Sequence, residues 1–260
     1  MKKSAVSLFI VVIVSCFHTL NAQRWVQIGK AGDWANTIDV VALGGNLYSV
    51  EKDGTLFKTD KQGNYSQLGA KGDFNNTDLL IALNNEIWTL EDGSLYQTNP
   101  NTVAWRQVGK TGDWKNTVSM VAMKDKLYSI ETNGTLYETT RTGDWRQIGG
   151  DGEFSDADML EAMGDYLWTV EKGTLYRTSI RAMRWEQVGK SGDWENTVAM
   201  VADRGFLWSV EKDGTLFKTD MNGNYEQVGA DGSLKNVTMI ISMDGMLYVV
   251  EDGTLYATKG

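Results

Sequence analysis

Short apolar runs separated by glycine, aspartate and asparagine recur along the whole chain. A typical set lies at residues 38–43, 46–51 and 55–59, and its runs are rich in valine, leucine, threonine and tyrosine. None of the runs has the length or the 3.6-residue period of an amphipathic helix. The pattern therefore predicts an all-β protein built from short strands.

The set of runs returns every 40 residues, in six units that begin at Trp25, Tyr65, Trp105, Trp145, Trp185 and Tyr225. Each unit opens with an aromatic-x-Gln-aliphatic-Gly run. A polar loop and three further runs come after it. One unit of this size cannot bury its own apolar face, whereas six units in a closed array can. Four antiparallel strands per unit predict a six-bladed β-propeller. A β-solenoid is the alternative, but its coils usually use fewer residues.

The two ends of the array predict how the ring closes. The first opening run, residues 25–29, lies at the N-terminal end, and the chain stops just after the closing run at residues 254–258. We expect the N-terminal strand to pair with the last strand of blade six, which removes two exposed sheet edges. The apolar run that follows each polar loop would then line the central channel.

Residues 1–22 have the pattern of an export signal. Lys2 and Lys3 precede an apolar stretch at residues 5–14, and a small-residue cleavage context follows. A stretch of this length is too short to span a bilayer, so no transmembrane segment is expected. We expect a protein that is secreted or exposed on the periplasmic or outer surface, with one six-repeat propeller domain over residues 23–260.

A second cleavage site competes with this one. Residues 13–16 (IVSC) resemble the lipobox of bacterial lipoproteins, and lipidation of Cys16 is the lesser alternative. Cys16 and His18 are the only cysteine and the only histidine, so a chain that starts at Gln23 has neither. Disulfides, thiolate chemistry, Cys/His zinc sites and histidine-based triads are then excluded. We expect a non-enzymatic protein without a metal or a cofactor.

The net charge of −9 at pH 7 argues against nucleic acid as a partner, because phosphates require clustered lysine and arginine. The 28 glycines against one proline indicate many tight turns. The sequence shows no glycine-rich phosphate cradle and no loop with the spacing of a known calcium site. Composition thus favours a binding protein over a nucleotide-dependent or metal-dependent enzyme.

The polar loop of each unit carries the most distinctive motif, GDWxNT. It is intact at residues 32–37, 112–117 and 192–197, and weaker copies lie at residues 72–77, 152–157 and 232–237. The loop is longer than a hairpin needs, and such loops often carry function. A tryptophan ring beside an aspartate and an asparagine suits a sugar, which has one apolar face and a rim of hydroxyls. The alternative is structural: the aromatic residue plugs the space between blades, and the polar residues cap the turn. Both roles can hold at once.

Other repeated side chains have simpler interpretations. A glutamate ends the third strand of every unit, and we expect it to accept hydrogen bonds from turn N–H groups. The alternative is a ring of six carboxylates that holds a cation or does acid/base work in pairs. These residues are Glu51, Glu91, Glu131, Glu171, Glu211 and Glu251. The glutamine of each opening run is expected to satisfy buried backbone groups. The opening tryptophans and those of the third strands are expected in the core, and they are Trp25, Trp105, Trp145, Trp185, Trp88, Trp168 and Trp208.

These motifs resemble the β-propeller lectins of the tectonin and tachylectin types. The Trp-x-Gln-Val opening and the Leu-Tyr-x-Val strand resemble the tectonin unit, and the Gly-x-Trp-x-Asn loop resembles the tachylectin unit. The Trp-Gly pair of tectonins is replaced here by Tyr-Ser or Trp-Thr. The resemblance implies sugar sites between or beside adjacent blades, once per repeat. The candidate carbohydrate contacts are Asp33, Trp34, Asn36, Asp73, Phe74, Asn76, Asp113, Trp114, Asn116, Asp193, Trp194 and Asn196.

The leading hypothesis is an exported, multivalent carbohydrate-binding propeller that recognises glycans. Units one, three and five would carry three strong sites, with unit two as a possible fourth. A protein-binding scaffold at the cell surface is the second hypothesis. A hydrolase or lyase comes third, because the histidine is absent and no unit-specific departure in the sequence gathers two carboxylates.

Overall fold

A computed structural model describes residues 24–182 and 184–258. The predicted export signal at residues 1–22, with Cys16 and His18, lies outside the described residues. The described chain forms 24 strands in six four-stranded antiparallel sheets. The innermost strands of successive sheets contact one another around a ring. The predicted six-bladed β-propeller is confirmed.

Each blade runs from the channel outwards in chain order. Blade one consists of β2 (Thr37–Leu43), β3 (Asn46–Glu51), β4 (Leu56–Thr59) and β5 (Tyr65–Leu68). Blade two consists of β6 (Thr77–Leu83), β7 (Glu86–Glu91), β8 (Ser94–Thr98) and β9 (Trp105–Val108). Blade three consists of β10 (Thr117–Met123), β11 (Lys126–Glu131), β12 (Leu136–Thr139) and β13 (Trp145–Ile148).

The second half of the ring repeats this order. Blade four consists of β14 (Ala157–Met163), β15 (Tyr166–Glu171), β16 (Thr174–Ser179) and β17 (Glu186–Val188). Blade five consists of β18 (Thr197–Asp203), β19 (Phe206–Glu211), β20 (Leu216–Thr219) and β21 (Tyr225–Val228). Blade six consists of β22 (Val237–Met243), β23 (Met246–Glu251), β24 (Thr254–Thr258) and the N-terminal strand β1 (Trp25–Ile28).

The ring closes through β1, as expected. It pairs antiparallel with β24, in a register that places Trp25 opposite Thr258 and Ile28 opposite Leu255. The opening strand of every repeat is therefore the outermost strand of the preceding blade. As a result, the opening aromatic of one repeat shares a blade with the polar loop of the repeat before it. This offset decides which side chains meet at the candidate site.

The aromatic residue of each loop is a plug between two blades. Trp34 is 7% exposed and packs with Ile241, Tyr248 and Leu255 of blade six as well as with Leu47 of blade one. Its backbone N–H donates to Gly253 O in the blade-six hairpin, at 2.9 Å. The equivalent residues Phe74, Trp114, Phe154, Trp194 and Leu234 are between 1% and 4% exposed. The packing role that the sequence left open is thus observed.

The hairpins also dock against the neighbouring blade, and one glycine shows how closely. Gly214 has a φ of +88°, and a Cβ placed on it would lie 1.4 Å from Leu234 O. Leu234 N donates to Gly214 O at 3.0 Å, so the two backbones touch. Glycine is required here both for the positive φ and for this approach.

The expectation that the opening tryptophans lie in the core is wrong for two of them. Trp105 is 61% exposed and Trp145 is 51% exposed, because each lies on an outermost strand with solvent beyond it. Trp25 and Trp185 are half-buried. Of the third-strand tryptophans, Trp88 and Trp168 are fully buried and Trp208 is half-buried.

The inner strands line a channel of about 660 Å³, and most of its lining residues have apolar side chains. Two of the lining residues are ionisable, Asp39 in blade one and Glu161 in blade four. The sequence interpretation missed this pair, because the two residues belong to different repeats and different positions. Asp39 Oδ2 accepts Leu80 N at 2.6 Å and Glu161 Oε2 accepts Ala202 N at 3.3 Å. Each carboxyl group therefore links its own inner strand to that of the next blade.

Candidate functional site

Two matching clefts open beside the loops of blades one and five. The blade-one cleft has a volume of about 590 Å³ and the blade-five cleft about 480 Å³. The blade-five cleft is lined by Asp193, Trp194, Asn196, Ser209, Glu211, Lys212, Asp213, Phe217, Thr219 and Tyr225. The blade-one cleft is lined by Asp33, Trp34, Asn36, Ser49, Glu51, Lys52, Asp53, Thr55, Phe57, Thr59, Tyr65, Gln67 and Lys71. All ten residues of the blade-five cleft have an identical counterpart in blade one.

Strand register places these side chains on one face of the blade. In blade five, Ser209 lies opposite Phe217 and Thr219 lies opposite Tyr225. Since side chains alternate along a strand, these four residues point to the same side, as does Leu207 opposite Thr219. The loop that crosses from blade four then brings Asp193 and Trp194 onto this face. The cleft thus lies on the outer half of the blade, turned towards the preceding blade.

Three aromatic rings form one wall of the blade-five cleft. The Phe217 and Tyr225 ring centroids lie 5.8 Å apart in an edge-to-face arrangement, and those of Trp194 and Tyr225 are also 5.8 Å apart. Tyr225 is 49% exposed, whereas Trp194 is 4% exposed. In blade one, Phe57 and Tyr65 repeat the edge-to-face contact at 5.7 Å. The accessible aromatic surface of each cleft therefore comes mainly from the tyrosine, with the tryptophan behind it.

The floor of the blade-five cleft carries two buried hydroxyls. Ser209 is 1% exposed and Thr219 is 0% exposed. Within the described part of the chain, neither Ser209 Oγ nor Thr219 Oγ1 has a hydrogen-bond partner. Buried polar groups in folded proteins are nearly always paired, and leaving one unpaired costs about 1–3 kcal/mol. Thr98 Oγ1 in blade two and Ser129 Oγ in blade three are also unpartnered among the described residues, and blade five combines both hydroxyls in one cleft, which suits a ligand with hydrogen-bonding groups.

Carboxylates surround the rim of the same cleft. Glu211 Oε1 accepts the Thr197 hydroxyl at 2.7 Å, and burial raises the pKa of Glu211. The charge of the Asp193 carboxylate, with a smaller effect of desolvation, raises the pKa of the Tyr225 phenol. Glu51 and Glu131 accept the hydroxyls of Thr37 and Thr117 in the same way. The prediction that these glutamates accept a turn N–H is therefore wrong for units one, three and five, where the hydroxyl of the loop threonine is the donor.

Blade three, which also has an intact GDWxNT loop, is arranged differently. Trp145 Nε1 donates to Asp113 Oδ2 at 3.3 Å, and Trp114 Nε1 donates to Thr139 Oγ1 at 3.4 Å. The Asn116 carbonyl accepts Thr132 N at 2.7 Å, a contact that the loops of blades one and five share. The ring N–H groups of both tryptophans thus have partners within the protein, whereas Ser129 Oγ has none among the described residues. Four of the ten cleft positions also differ here, as Thr132, Asn133, Tyr137 and Trp145.

The blade-two loop is occupied by its own contacts. Asp73 Oδ2 accepts Ala70 N at 2.7 Å, and Asn76 Nδ2 donates to Asp92 Oδ2 at 2.9 Å. Phe74 and Trp105 line a cavity of only about 100 Å³. Capping, the structural alternative for the loop aspartate, is therefore observed at this position.

Sequence reasoning missed the tyrosines and phenylalanines of the two clefts. Only repeats two and six open with tyrosine rather than tryptophan, and these are the repeats whose first strand completes blades one and five. Residues 49–60 and 209–220 are also identical, as SVEKDGTLFKTD. Both signals were present, but the repeat boundary separated each tyrosine from its loop.

The remaining repeated residues have backbone roles. Gln27, Gln67 and Gln187 donate through Nε2 to the carbonyls of Gly29, Gly69 and Gly189 at 3.1–3.2 Å. These carbonyls belong to exposed turns, so the expected backbone partner is found, but it is not buried. Over residues 24–182 and 184–258, no three Asp, Glu, His or Cys side chains converge as metal ligands. No helix in the same ranges has the length and hydropathy to cross a bilayer.

No protein-family model matches the chain. No curated protein matches its sequence either. The fold is similar to that of a Bacteroides thetaiotaomicron protein of unknown function, with a TM-score of 0.70 and 12% identity, over 91% of this chain and 76% of that one. An auxiliary nutrient binding protein from Bacteroides thetaiotaomicron gives 0.65 and 10% identity, over 88% and 70% of the two chains. Virginiamycin B lyase from Staphylococcus aureus gives 0.60 and 11% identity, over 88% and 81%. These proteins are only 10–12% identical to this chain, so the comparison shows a shared propeller fold and does not assign a function.

Proposed function

We propose that this chain is an exported, non-enzymatic carbohydrate-binding protein whose principal sites are the clefts of blades one and five. The observation that carries the proposal is the pair of unpartnered hydroxyls, Ser209 Oγ and Thr219 Oγ1, beneath an aromatic wall. A pyranose offers matching chemistry, since C–H groups cover one face and hydroxyls form the rim. The resemblance to tectonin-type and tachylectin-type lectins supports this assignment, and the nutrient binding neighbour is compatible with it.

Two equivalent clefts on one rigid ring favour multivalent attachment. Blade six lies between them, so they are separated by two of the six blade positions. A single shallow sugar site binds weakly, but two sites held on one scaffold raise the apparent affinity for a dense glycan surface by about 10²–10⁴. Export through the signal expected at residues 1–22 would place the protein where such surfaces occur.

Glycan-array binding by the purified protein tests the function directly. We expect binding to a defined set of glycans, and loss of that binding in the double variant Tyr65→Ala/Tyr225→Ala. Both tyrosines are about half exposed, so their removal should leave the fold intact while deleting the accessible aromatic surface. Stacking of this kind is worth about 0.5–1.5 kcal/mol per contact, or roughly threefold to tenfold in affinity per cleft.

The matched control is Trp145→Ala, which removes an equally exposed aromatic at the same outer-strand position of blade three. Binding should persist in this variant. If it is lost there and kept in the tyrosine double variant, the site belongs to blade three. If the unmodified protein binds no glycan, the carbohydrate proposal is wrong and a protein partner takes its place.

The floor hydroxyls give a second test, in which stability and affinity should move apart. We expect Thr219→Val to unfold at the same or a higher denaturant concentration, because it removes a buried hydroxyl that has no partner among the described residues. The same variant, in a Tyr65→Ala background that weakens the blade-one cleft, should bind its glycan about tenfold more weakly. Calorimetric titration and urea unfolding measure the two effects. A loss of stability with unchanged affinity would show that the hydroxyl serves the fold alone.

A further inference from the structure

The two clefts share ten residues, but their rims differ in charge. In blade one, Lys71 lines the cleft, and its Nζ lies 3.0 Å from Asp53 Oδ2. The residue that corresponds to Lys71 is Asp231, in the loop between β21 of blade five and β22 of blade six. A cation in one cleft is thus exchanged for an anion beside the other.

The carboxylate that pairs with Lys71 in blade one, Asp53, is also an aspartate in blade five. Asp53 has Asp213 as its counterpart, and each carboxylate accepts a backbone N–H from the threonine two residues on. Hydrogen bonds from Thr55 and then from Lys71 lower the pKa of Asp53. Among the described residues, no lysine or arginine forms an ion pair with Asp213. The rim carboxylate of blade five is therefore left without the neutralising cation that blade one supplies.

Asp231 is tied to the strand that carries Tyr225. Its Oδ1 accepts Gln227 Nε2 at 2.5 Å, and Gln227 lies on β21 two residues beyond Tyr225. The counterpart Gln67 lines the blade-one cleft. Asp193, Glu211 and Asp213 line the blade-five cleft against a single lysine, Lys212. The unpartnered hydroxyls of Ser209 and Thr219 beneath them show that this is a recess for a polar ligand and more than an acidic patch.

We propose that the blade-five cleft is a subsite for an amino sugar, a saccharide with a protonated amine, and that the blade-one cleft takes the corresponding uncharged saccharide. The residue at position 71 or 231 sets this difference, so Lys71 and Asp231 are specificity-determining residues. The inference rests on the proposed carbohydrate function. It assigns a ligand class to one of two clefts that share ten residues of identical type.

Single-tyrosine variants allow the two sites to be compared. Tyr65→Ala weakens the blade-one cleft, so that titration reports mainly on the blade-five cleft, and Tyr225→Ala does the reverse. The probes are the methyl glycosides of glucose, galactose and mannose and their 2-amino-2-deoxy counterparts, titrated by calorimetry at about pH 6, where an amine is protonated. We expect the blade-five cleft to bind the best amino glycoside about two- to fivefold more tightly than its hydroxyl counterpart, and the blade-one cleft to show no such preference.

Charge exchange provides the decisive variants. Asp231→Lys should remove the amine preference of the blade-five cleft, and Lys71→Asp should create it in the blade-one cleft. The preference should also shrink in about 1 M salt, since exposed charges are then screened within about 3 Å. If hydroxyl glycosides bind and amino glycosides bind no better in blade five, or if the exchanges change nothing, this inference is wrong and the carbohydrate function stands. If no glycoside of either kind binds, both proposals fall.

Discussion

Replacing Trp114 with alanine is expected to lower the free energy of unfolding by about 3–5 kcal/mol. Trp114 is 2% exposed and packs with Ile81 and Val108 of blade two and with Leu127 of blade three. Its removal opens a cavity between two sheets that cannot close, because the blades are fixed by the ring. It also frees the Thr139 hydroxyl that its Nε1 bonds at 3.4 Å. Guanidinium unfolding, with an unchanged m-value, measures the loss.

Trp114→Phe is the matched control for this prediction. Phenylalanine stands at the same position in units two and four, where Phe74 and Phe154 are 2% and 3% exposed. The smaller ring keeps most of the contact between blades, so a loss of about 1–2 kcal/mol is expected. If Trp114→Ala costs less than about 1 kcal/mol while glycan binding disappears, the loop aromatic is a ligand platform and its packing is incidental.

Alanine substitution of the loop tryptophans does not define the binding site, because it also removes packing between two blades. Trp34 and Trp194 contribute to the clefts, but they lie at the inner end of each and hold two blades together. A variant that loses them loses the shape of the cleft as well. The exposed tyrosines, Tyr65 and Tyr225, separate ligand binding from folding far better.

The architecture followed from the repeat because each unit obeys the same local rules. Short runs rich in valine, leucine, threonine and aromatic residues predicted the strands, and the position of the first opening run predicted the pairing of β1 with β24. The outer strand was misjudged for a physical reason. An aromatic residue in a strand is typical of a pleated, half-covered surface. The sequence alone does not tell whether another element packs on Trp105 and Trp145, and in the structure both are exposed.

The candidate site was predicted only in part, because it joins residues of two repeats. Asp33, Trp34 and Asn36 do line the blade-one cleft, as the loop motif suggested. Tyr65 reaches the same cleft from the next repeat, through the pairing of Thr59 with Tyr65 across β4 and β5. Blade three has the same loop, yet its Trp145 ring bonds to Asp113. The residues around an identical loop motif, four of which differ between blades three and five, thus change the cleft that it helps to form.

The second large effect is expected from the channel carboxyl groups, which should make the fold less stable as the pH rises from acid to about pH 8. Burial raises the pKa of Glu161 to about 8 and that of Asp39 to about 6, despite the backbone N–H groups that each accepts. In the unfolded chain both groups titrate near pH 4. Between those values the folded protein holds protons that the unfolded chain has released. The free energy of unfolding therefore falls as the pH rises from about 4.5 to about 8.

Burial also raises the pKa values of Glu51, Glu91, Glu131 and Glu211, so these groups add to the same trend. The carboxylates with lowered pKa values, such as Asp60 and Asp220, act in the opposite direction. Their contribution is lost as the pH falls through their folded pKa values, which lie below the ordinary range for aspartate. The two sets therefore act in separate pH windows. The fall in stability between about pH 4.5 and about pH 8 reports on the carboxyl groups whose pKa values are raised.

Glu161→Gln should remove most of the alkaline loss. The amide stays uncharged at every pH, and its oxygen can still accept Ala202 N from blade five. A pKa raised by one pH unit is worth about 1.4 kcal/mol, and since the carboxyl faces a channel that water can enter, we expect a gain of order 3 kcal/mol over the unmodified protein at about pH 8.5. At about pH 5 the two proteins should unfold alike. Glu195→Gln, at an exposed carboxylate in the blade-five loop, is the control for the substitution itself. Equal stability of Glu161→Gln and the unmodified protein at about pH 8.5 would mean that Glu161 is already ionised in the fold, and that the channel holds a charge at neutral pH.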